Sequence, residues 1–257
     1  MKKRKIARVG VAIIMGGVVC VAAYFLFLGR NRPAPIPAKE TLYEDVTYQR
    51  VVRYFPNAMI AHIIKIDTKT KGIQFLITPA DSKSETPLNA RTTSQFLDEF
   101  GLQIAINGDG FTPWWSRGPA DYYPHAGDPV APLGFTASNG DDYWQGVELE
   151  QGERPTLYIS RRNAFSFNDK PNKVYNAISG DRMIVLQGQP VAGLDDSELN
   201  PRTAIGLNRN GRYLYLIIVD GRHGLLRVCR NESRWGRFVH AGAGWREQRA
   251  CDSKFPD

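Results

Sequence analysis

From Val21 to Val228 the sequence contains no cysteine. That excludes a disulfide framework and a thiolate metal site from the bulk of the chain. The three cysteines, Cys20, Cys229 and Cys251, lie towards its two ends. Basic charge is equally scarce in the middle. The formal net charge is +7, but Lys2, Lys3, Arg4, Lys5 and Arg8 supply five positive charges. Arg222–Asp257 contributes a net four more, which leaves −2 for the remainder. Nucleic-acid binding needs a basic surface on the folded domain, so no nucleic-acid partner is expected. Internal repeats are also absent, which excludes solenoids and propellers.

What is present begins with an apolar run. Val9–Leu28 carries no charge over 20 residues. As a helix it would be about 30 Å long, the thickness of a bilayer core. Five basic residues precede it, and basic flanks stay cytoplasmic. Bulky residues, Tyr24 to Leu28, run to its end where a cleavable signal peptide would show small ones. The expectation is an uncleaved signal anchor over residues 1–29, with the N-terminus cytoplasmic and the rest of the chain outside the cytoplasm. Residues 30–42 contain Pro33, Pro35 and Pro37 and read as a semi-rigid linker.

From Tyr43 onward strand signals dominate. Val46–Tyr54 is rich in Val and Tyr, and Ala58–Asp67 and Gly72–Thr78 flank a polar turn, which predicts a hairpin. Thr93–Phe100 has helical apolar spacing, an N-cap candidate and Gly101 as a stop. Leu102–Asn107 reads as a buried strand. Gly108–Val130 is a long irregular segment containing Trp114, Trp115, Tyr122, Tyr123 and His125, and loops of this length are often functional. Strands are expected again at Leu133–Ala137, Trp144–Leu149, Thr156–Ile159, Val174–Ser179, Arg182–Leu186, Arg202–Leu207 and Tyr213–Val219. The fold class is α+β: a β-rich, mixed but largely antiparallel sheet domain with few helices, preceded by one transmembrane helix.

Three stretches carry a more specific signal. They are AINGDGF (Ala105–Phe111), ISGDRMIVLQGQPV (Ile178–Val191) and NPRTAIGLNRNGRYLYLIIVDGR (Asn200–Arg222). In order and spacing, the region from Tyr54 to Arg222 resembles the phosphodiester glycosidase family. The resemblance implies a hydrolase that releases a sugar from a sugar-1-phosphate diester, acting on glycans of the cell envelope or on exopolysaccharide. It implies catalytic roles for Asn107, Asp109, Arg202 and Asp220, and substrate-binding roles for Gly108, Thr203, Gly221, Arg222 and His62. The residue types suit that chemistry. Arginines offer forked donors to phosphate oxygens, and carboxylates handle a cation-like glycosyl transition state. Glycines allow close backbone approach.

Each residue also has a plainer reading. Asn107-Gly108, Asp109-Gly110 and Asp220-Gly221 are turn dipeptides in their own right. Arg202 fits a surface ion pair, and His62 fits a hydrogen-bonded histidine at the core edge. Trp114 and Trp115 fit either a sugar platform or a cap on the core. No cofactor is expected, although His125 and Asp128 leave a divalent cation possible. A non-catalytic glycan- or phosphate-binding module on the same fold is the alternative to an enzyme.

After Arg222 the resemblance ends. The family continues with a helix, a strand and a DGGGS-like motif, whereas residues 223–257 hold two cysteines, two tryptophans and six arginines after Gly224. No clear period runs through them. A reading-frame shift of one nucleotide, with permitted wobble choices, turns Gly244–Gln248 into Asp-Gly-Gly-Ser. The tail is therefore expected to be frameshifted, the domain (43–222) to be incomplete, the sheet to lack a closing strand, and activity to be reduced or lost. Sequencing the gene tests this. The expected result is an inserted or deleted nucleotide near the Arg222 codon, and an intact frame through a supported stop codon overturns it.

Overall fold

The computed structural model describes residues 15–21, 23–24, 35–53, 59–118, 120–147, 154–194, 200–220, 222–223, 226–227 and 237–241. Two compact units are present, Met1–Ile36 and Pro37–Asp257. The expected anchor falls largely outside the described residues, and within it residues 15–21 and 23–24 are helical. Among the described residues no helix is long and apolar enough to cross a membrane.

The second unit is built on an eight-stranded antiparallel sheet. Its spatial order is β1 (Ala38–Tyr43), β2 (Val46–Arg53), β3 (Met59–Asp67), β17 (Tyr213–Asp220), β16 (Arg202–Leu207), β20 (Arg237–Ala241), β14 (Arg182–Leu186), β15 (Gln189–Pro190). A five-stranded sheet follows the order β10 (Asp141–Trp144), β9 (Thr136–Ser138), β13 (Asn176–Ser179), β11 (Thr156–Ile159), β12 (Phe165–Phe167). Smaller pairings join β4 (Leu88–Asn89), β8 (Pro129–Pro132) and β5 (Phe111–Thr112). Two hairpins stand apart, β6 (Trp115–Gly118) with β7 (Asp121–Tyr123) and β18 (Arg222–His223) with β19 (Leu226–Arg227). The β-rich, largely antiparallel character matches the sequence expectation.

Side-chain alternation explains where the core sits. On one face of the large sheet, Val46, Ile66, Leu214, Leu207 and Ile205 pack with Leu157, Ile159 and Phe167 of the smaller sheet. The opposite face carries Met59, Ala61, Ile63, Ala204, Ile217 and Val219 as a second apolar cluster.

Four expectations need correction. Gly72–Thr78 does not pair with β3, which sits between β2 and β17 instead. The segment is apolar at alternate positions, and Ile73, Phe75 and Ile77 do pack against the core. Its carbonyls are met by side chains rather than by a strand: Asn163 Nδ2 donates to Ile73 O, Asn176 Nδ2 to Phe75 O, Ser138 Oγ to Ile77 O and Tyr143 OH to Thr78 O. Leu102–Asn107 is likewise not in a ladder, although Ile104 packs against the core. The end of the expected linker, Ala38–Tyr43, pairs with β2 as an edge strand. Finally, the tail supplies β20, whose backbone pairs with both β16 and β14. The ladder groups of β16 need partners, and Arg237–Ala241 provides them, so the sheet has no gap there.

The helix Thr93–Glu99 is set by its cap. Thr92 Oγ1 accepts from the Gln95 amide at 3.2 Å, and Gln95 Oε1 accepts from the Thr92 amide at 2.8 Å. The chain leaves the helix through Gly101 at φ +59°, a left-handed turn that glycine adopts without a side-chain clash. Arg91 clamps both ends, reaching Asp81 before the helix and Glu99 at its last residue. Its guanidinium holds both carboxyls below the usual carboxylate range. Carboxyls with lowered pKa stabilise the fold above their unfolded values and lose that effect as pH falls through the folded ones. Chemical denaturation should therefore show stability falling as pH drops through and below the ordinary carboxylate range, by less in Arg91→Gln. Thr92→Ala should cost about 0.5–2 kcal/mol at neutral pH, measured by the same method.

Candidate functional site

The three sequence motifs meet in space. The first, Ala105–Phe111, is tied to the third by the Thr203 hydroxyl, which donates to Asn107 Oδ1 at 2.6 Å. Thr203 is 4% exposed, and Asn107 Nδ2 is buried with no hydrogen-bond partner among the described residues. The first motif meets the second at Gly108, where an added Cβ would lie 2.6 Å from Ile178 Cδ1. Arg154 makes the other link between them: it bonds Asp109 at 2.6 Å, and its guanidinium lies 3.9 Å from Asp181.

Asp109 is a structural hub. Its side chain is 4% exposed. Oδ1 accepts from the Gly110 amide and from Arg154, and Oδ2 accepts from the Gly134 amide at 2.7 Å. Burial pushes its carboxyl above the ordinary range, against the opposing pull of Arg154 and the two amides. A carboxylate so fully committed holds loops together and has little left to offer a substrate. Gly134 is essential to this arrangement, because an added Cβ would collide with Ser179 Cβ and sit 2.9 Å from Asp109 Oδ2.

Along the core-facing side of the large sheet, ladder register sorts the remaining candidates. Val46, Ile66, Leu214 and Leu207 lie on that face, and so do Tyr48, Ile64, Leu216 and Ile205. The next row breaks the apolar run: Arg50 pairs with His62, His62 with Ile218, and Ile218 with Thr203. Asp220, opposite Ile60, stands on the same face one row further. Ile218 is 39% exposed, so the row is open to solvent at its centre. A polar row thus connects Asn107 and Thr203, across an open floor, to His62 and Arg50, with Asp220 at its edge.

His62 is fixed by Tyr48, whose hydroxyl lies 2.8 Å from Nδ1 with the rings stacked. Burial lowers the imidazole pKa most; Asp220 raises it and Arg50 lowers it. The net lowering favours the neutral imidazole.

Not every expected residue joins this row. Arg202 pairs with Val219, which places it on the opposite face from Thr203 and Asp220, and it donates to the Pro201 carbonyl. One position of strand parity separates it from the row. Gly221 lies outside the described residues, and Arg222 is described only as backbone in β18. A cavity of about 1470 Å³ takes in Asn107, Gly108 and Asp109, but Thr203, His62, Arg202 and Asp220 do not line it. Of the two suggested metal ligands, Asp128 is engaged by the His125 amide at 2.7 Å. Among the described residues no group of three or more His, Cys, Asp or Glu is placed to hold a metal ion.

Sequence reasoning missed Arg154, Tyr48 and Arg50. Arg154 carries no local signal, because its role comes from a contact 45 positions away. Tyr48 and Arg50 could have been found from the alternation of β2 once β3 was taken as its partner. Gly134→Ala should destabilise the domain by about 1–3 kcal/mol through overpacking, measured by chemical denaturation. An unchanged midpoint would show that the Asp109 hub tolerates displacement.

Comparison with known proteins agrees with this geometry. The phosphodiester glycosidase family profile matches residues 100–232. No curated protein matches the chain. Among solved structures, a hypothetical protein from Synechocystis aligns with TM-score 0.52 and 13% identity, over 82% of this chain and 58% of that one. The present chain thus spans under two thirds of that protein's length. The zebrafish N-acetylglucosamine-1-phosphodiester alpha-N-acetylglucosaminidase catalytic domain, auto-inhibited by its pro-peptide, aligns with TM-score 0.50 and 14% identity. That alignment covers 83% of this chain and 73% of the other. At these identities the likeness is one of fold. Because the family profile takes in more than half of the sequence, including all three motifs whole, the chain belongs to the phosphodiester glycosidase family.

Proposed function

We propose that this protein hydrolyses sugar-1-phosphate diesters of cell-envelope or extracellular glycans, from a domain tethered outside the cytoplasm. The observation that carries the reading is the polar row at the sheet end, where Thr203, His62, Arg50 and Asp220 share one face around an open floor and Asn107 joins it through Thr203.

In the proposed reaction, water attacks the anomeric carbon and the bond from that carbon to the phosphate oxygen breaks. The free sugar is released, and the phosphate leaves as a monoester of the other alcohol. Phosphate is a good leaving group, so cationic side chains can stabilise the departing charge in place of a strong general acid. Arg50 stands on the correct face for this, and Arg222 follows directly beyond the Asp220 strand end. Asp220 is the carboxylate placed to stabilise the developing positive charge on the sugar. Asn107 Nδ2, which has no partner among the described residues, is a donor for a sugar hydroxyl or phosphate oxygen. Neutral His62, oriented by Tyr48, is the base within the row that can take a proton from water. Asp109 serves as scaffold rather than as reactant.

The tether rests on the charge-free run Val9–Leu28 and the five basic residues before it. An extracytoplasmic domain should be cleaved by protease added to intact cells or spheroplasts, and full protection there would reverse the proposed orientation.

A chromogenic sugar phosphodiester tests the chemistry. Reducing sugar should be released, and kcat/KM should fall roughly 10²–10³-fold in Asn107→Ala and in Asp220→Asn, the effect of losing one transition-state contact. Arg202→Ala, which lies on the other face, should fall by less than either. Circular dichroism should confirm that the variants fold. Saturable glycan binding by the unmodified protein without turnover would replace the enzyme with a binding module.

A further inference from the structure

The hairpin β6–β7 is unusual for so small an element. It belongs to neither large sheet, yet its few residues carry a concentrated aromatic surface. Trp115 stacks on Tyr123 with ring centres 6.2 Å apart, and the Arg117 guanidinium lies 5.1 Å from the centre of the Trp115 ring. On the other face of the hairpin, Tyr122 lies 4.4 Å from the His125 ring. Trp115 and Tyr122 are 39% and 40% exposed. Exposed, pre-stacked aromatic rings bind apolar ligand faces with little loss of side-chain freedom.

The placement of the hairpin is fixed. It begins six positions after Asp109. Between them, β5 pairs with β8, and the Leu133 amide donates to the Gly110 carbonyl at 2.9 Å. The Tyr123 hydroxyl donates to the Pro129 carbonyl at 2.6 Å, pinning the far strand to β8 as well. The aromatic hairpin and the Asn107–Asp109 loop therefore form one rigid piece around β8. They also share a cavity: Trp114, Arg117, Tyr122 and His125 line the same space as Asn107 and Gly108. That space, about 1470 Å³, exceeds the roughly 300–1,000 Å³ of ordinary small-molecule sites. Part of it runs into the apolar core, where Val46, Leu157, Ile205 and Leu214 line it.

We infer that the β6–β7 hairpin is a second glycan subsite, which holds sugar units of a phosphate-linked oligosaccharide beyond the bond that is cut. Tyr122 offers a ring face to the apolar face of a sugar and Arg117 a fork to a phosphate of the chain, while Trp115, stacked on Tyr123 on the other face and outside the cavity lining, holds the hairpin's shape. The inference rests on the proposed function and extends it: the natural substrate is a polymer of several linked sugars, and a small capped diester is a poor imitation of it.

The test uses the full chain in detergent micelles and three probes: a short chromogenic sugar phosphodiester, an oligosaccharide of four phosphate-linked hexoses, and neutral maltotetraose. Binding is followed by tryptophan fluorescence and by calorimetry, and turnover by release of reducing sugar. The phosphate-linked oligosaccharide should bind at least tenfold more tightly than the short diester. Tyr122→Ala should weaken its binding roughly tenfold, as loss of an aromatic anchor does, and Trp115→Ala, outside the cavity lining, should weaken it less. The ratio of kcat/KM for the oligosaccharide to that for the short diester should fall with them. Arg117→Gln should weaken binding of the phosphate-linked chain more than that of maltotetraose. Equal losses on the short and long substrates would overturn the inference, since the hairpin would then serve the catalytic centre or the fold. Unchanged oligosaccharide affinity in all three folded variants would overturn it too. If the unmodified protein binds the oligosaccharide through the hairpin but turns over neither substrate, the subsite stands and the hydrolase reading fails.

Discussion

A carboxylate buried away from water must have its charge compensated, and Asp109 meets that demand with its neighbour's amide and with contacts from two distant parts of the chain. Its oxygens draw in the amide of the following glycine, the amide of Gly134 and the guanidinium of Arg154. Removing Arg154 takes away the opposite charge in a place where an unpaired carboxylate is costly. The loop of the first motif is thereby locked to the smaller sheet, and Arg154 extends the lock to Asp181 of the second motif. Only because that loop is rigid can Asn107, two residues earlier, meet Thr203 on the large sheet at a defined position. The site thus depends on a residue that is itself too engaged to react.

The same logic shows what the sequence made legible. Strands β11, β14 and β16 lie where the alternation and the β-branched residues placed them, because each is short and bounded by turn residues. The helix was readable from its cap and its terminal glycine. Gly72–Thr78 and Leu102–Asn107 were not, because an apolar pattern reports burial and extension but not the partner. In the first of these, side chains from Asn163, Asn176, Ser138 and Tyr143 do the work of a neighbouring strand. Nothing local to Gly72–Thr78 announces donors that lie 60 or more positions away. The strand in the tail escaped notice for the converse reason: β16 and β14 determine that a strand belongs between them, and the sequence of residues 223–257 hardly does.

At the site, motif and geometry contributed different things. The motif pointed to Asn107, Thr203 and Asp220, and these lie on one connected stretch of surface. The chemistry of anionic substrates pointed to arginine, but only register can tell which one. Arg202 and Thr203 are neighbours in sequence and face opposite ways, whereas Arg50, more than 150 positions from Thr203, is in its row. Residue type restricts the candidates, and strand parity selects among them.

Parity also accounts for the location of the row. Two successive rows on the core face are apolar and are closed by Leu157, Ile159 and Phe167 of the smaller sheet. In the next row, Arg50, His62 and Thr203 interrupt the pattern, and Ile218 between them is open to solvent. A polar row inside the sandwich would carry a heavy desolvation cost, and one on the outer face would be too wet to strengthen its electrostatics. At the boundary, burial favours the neutral form of His62 while the open floor still admits a ligand. The partial burial that makes this row an unfavourable place for charge in the free protein also strengthens any electrostatic contact made there.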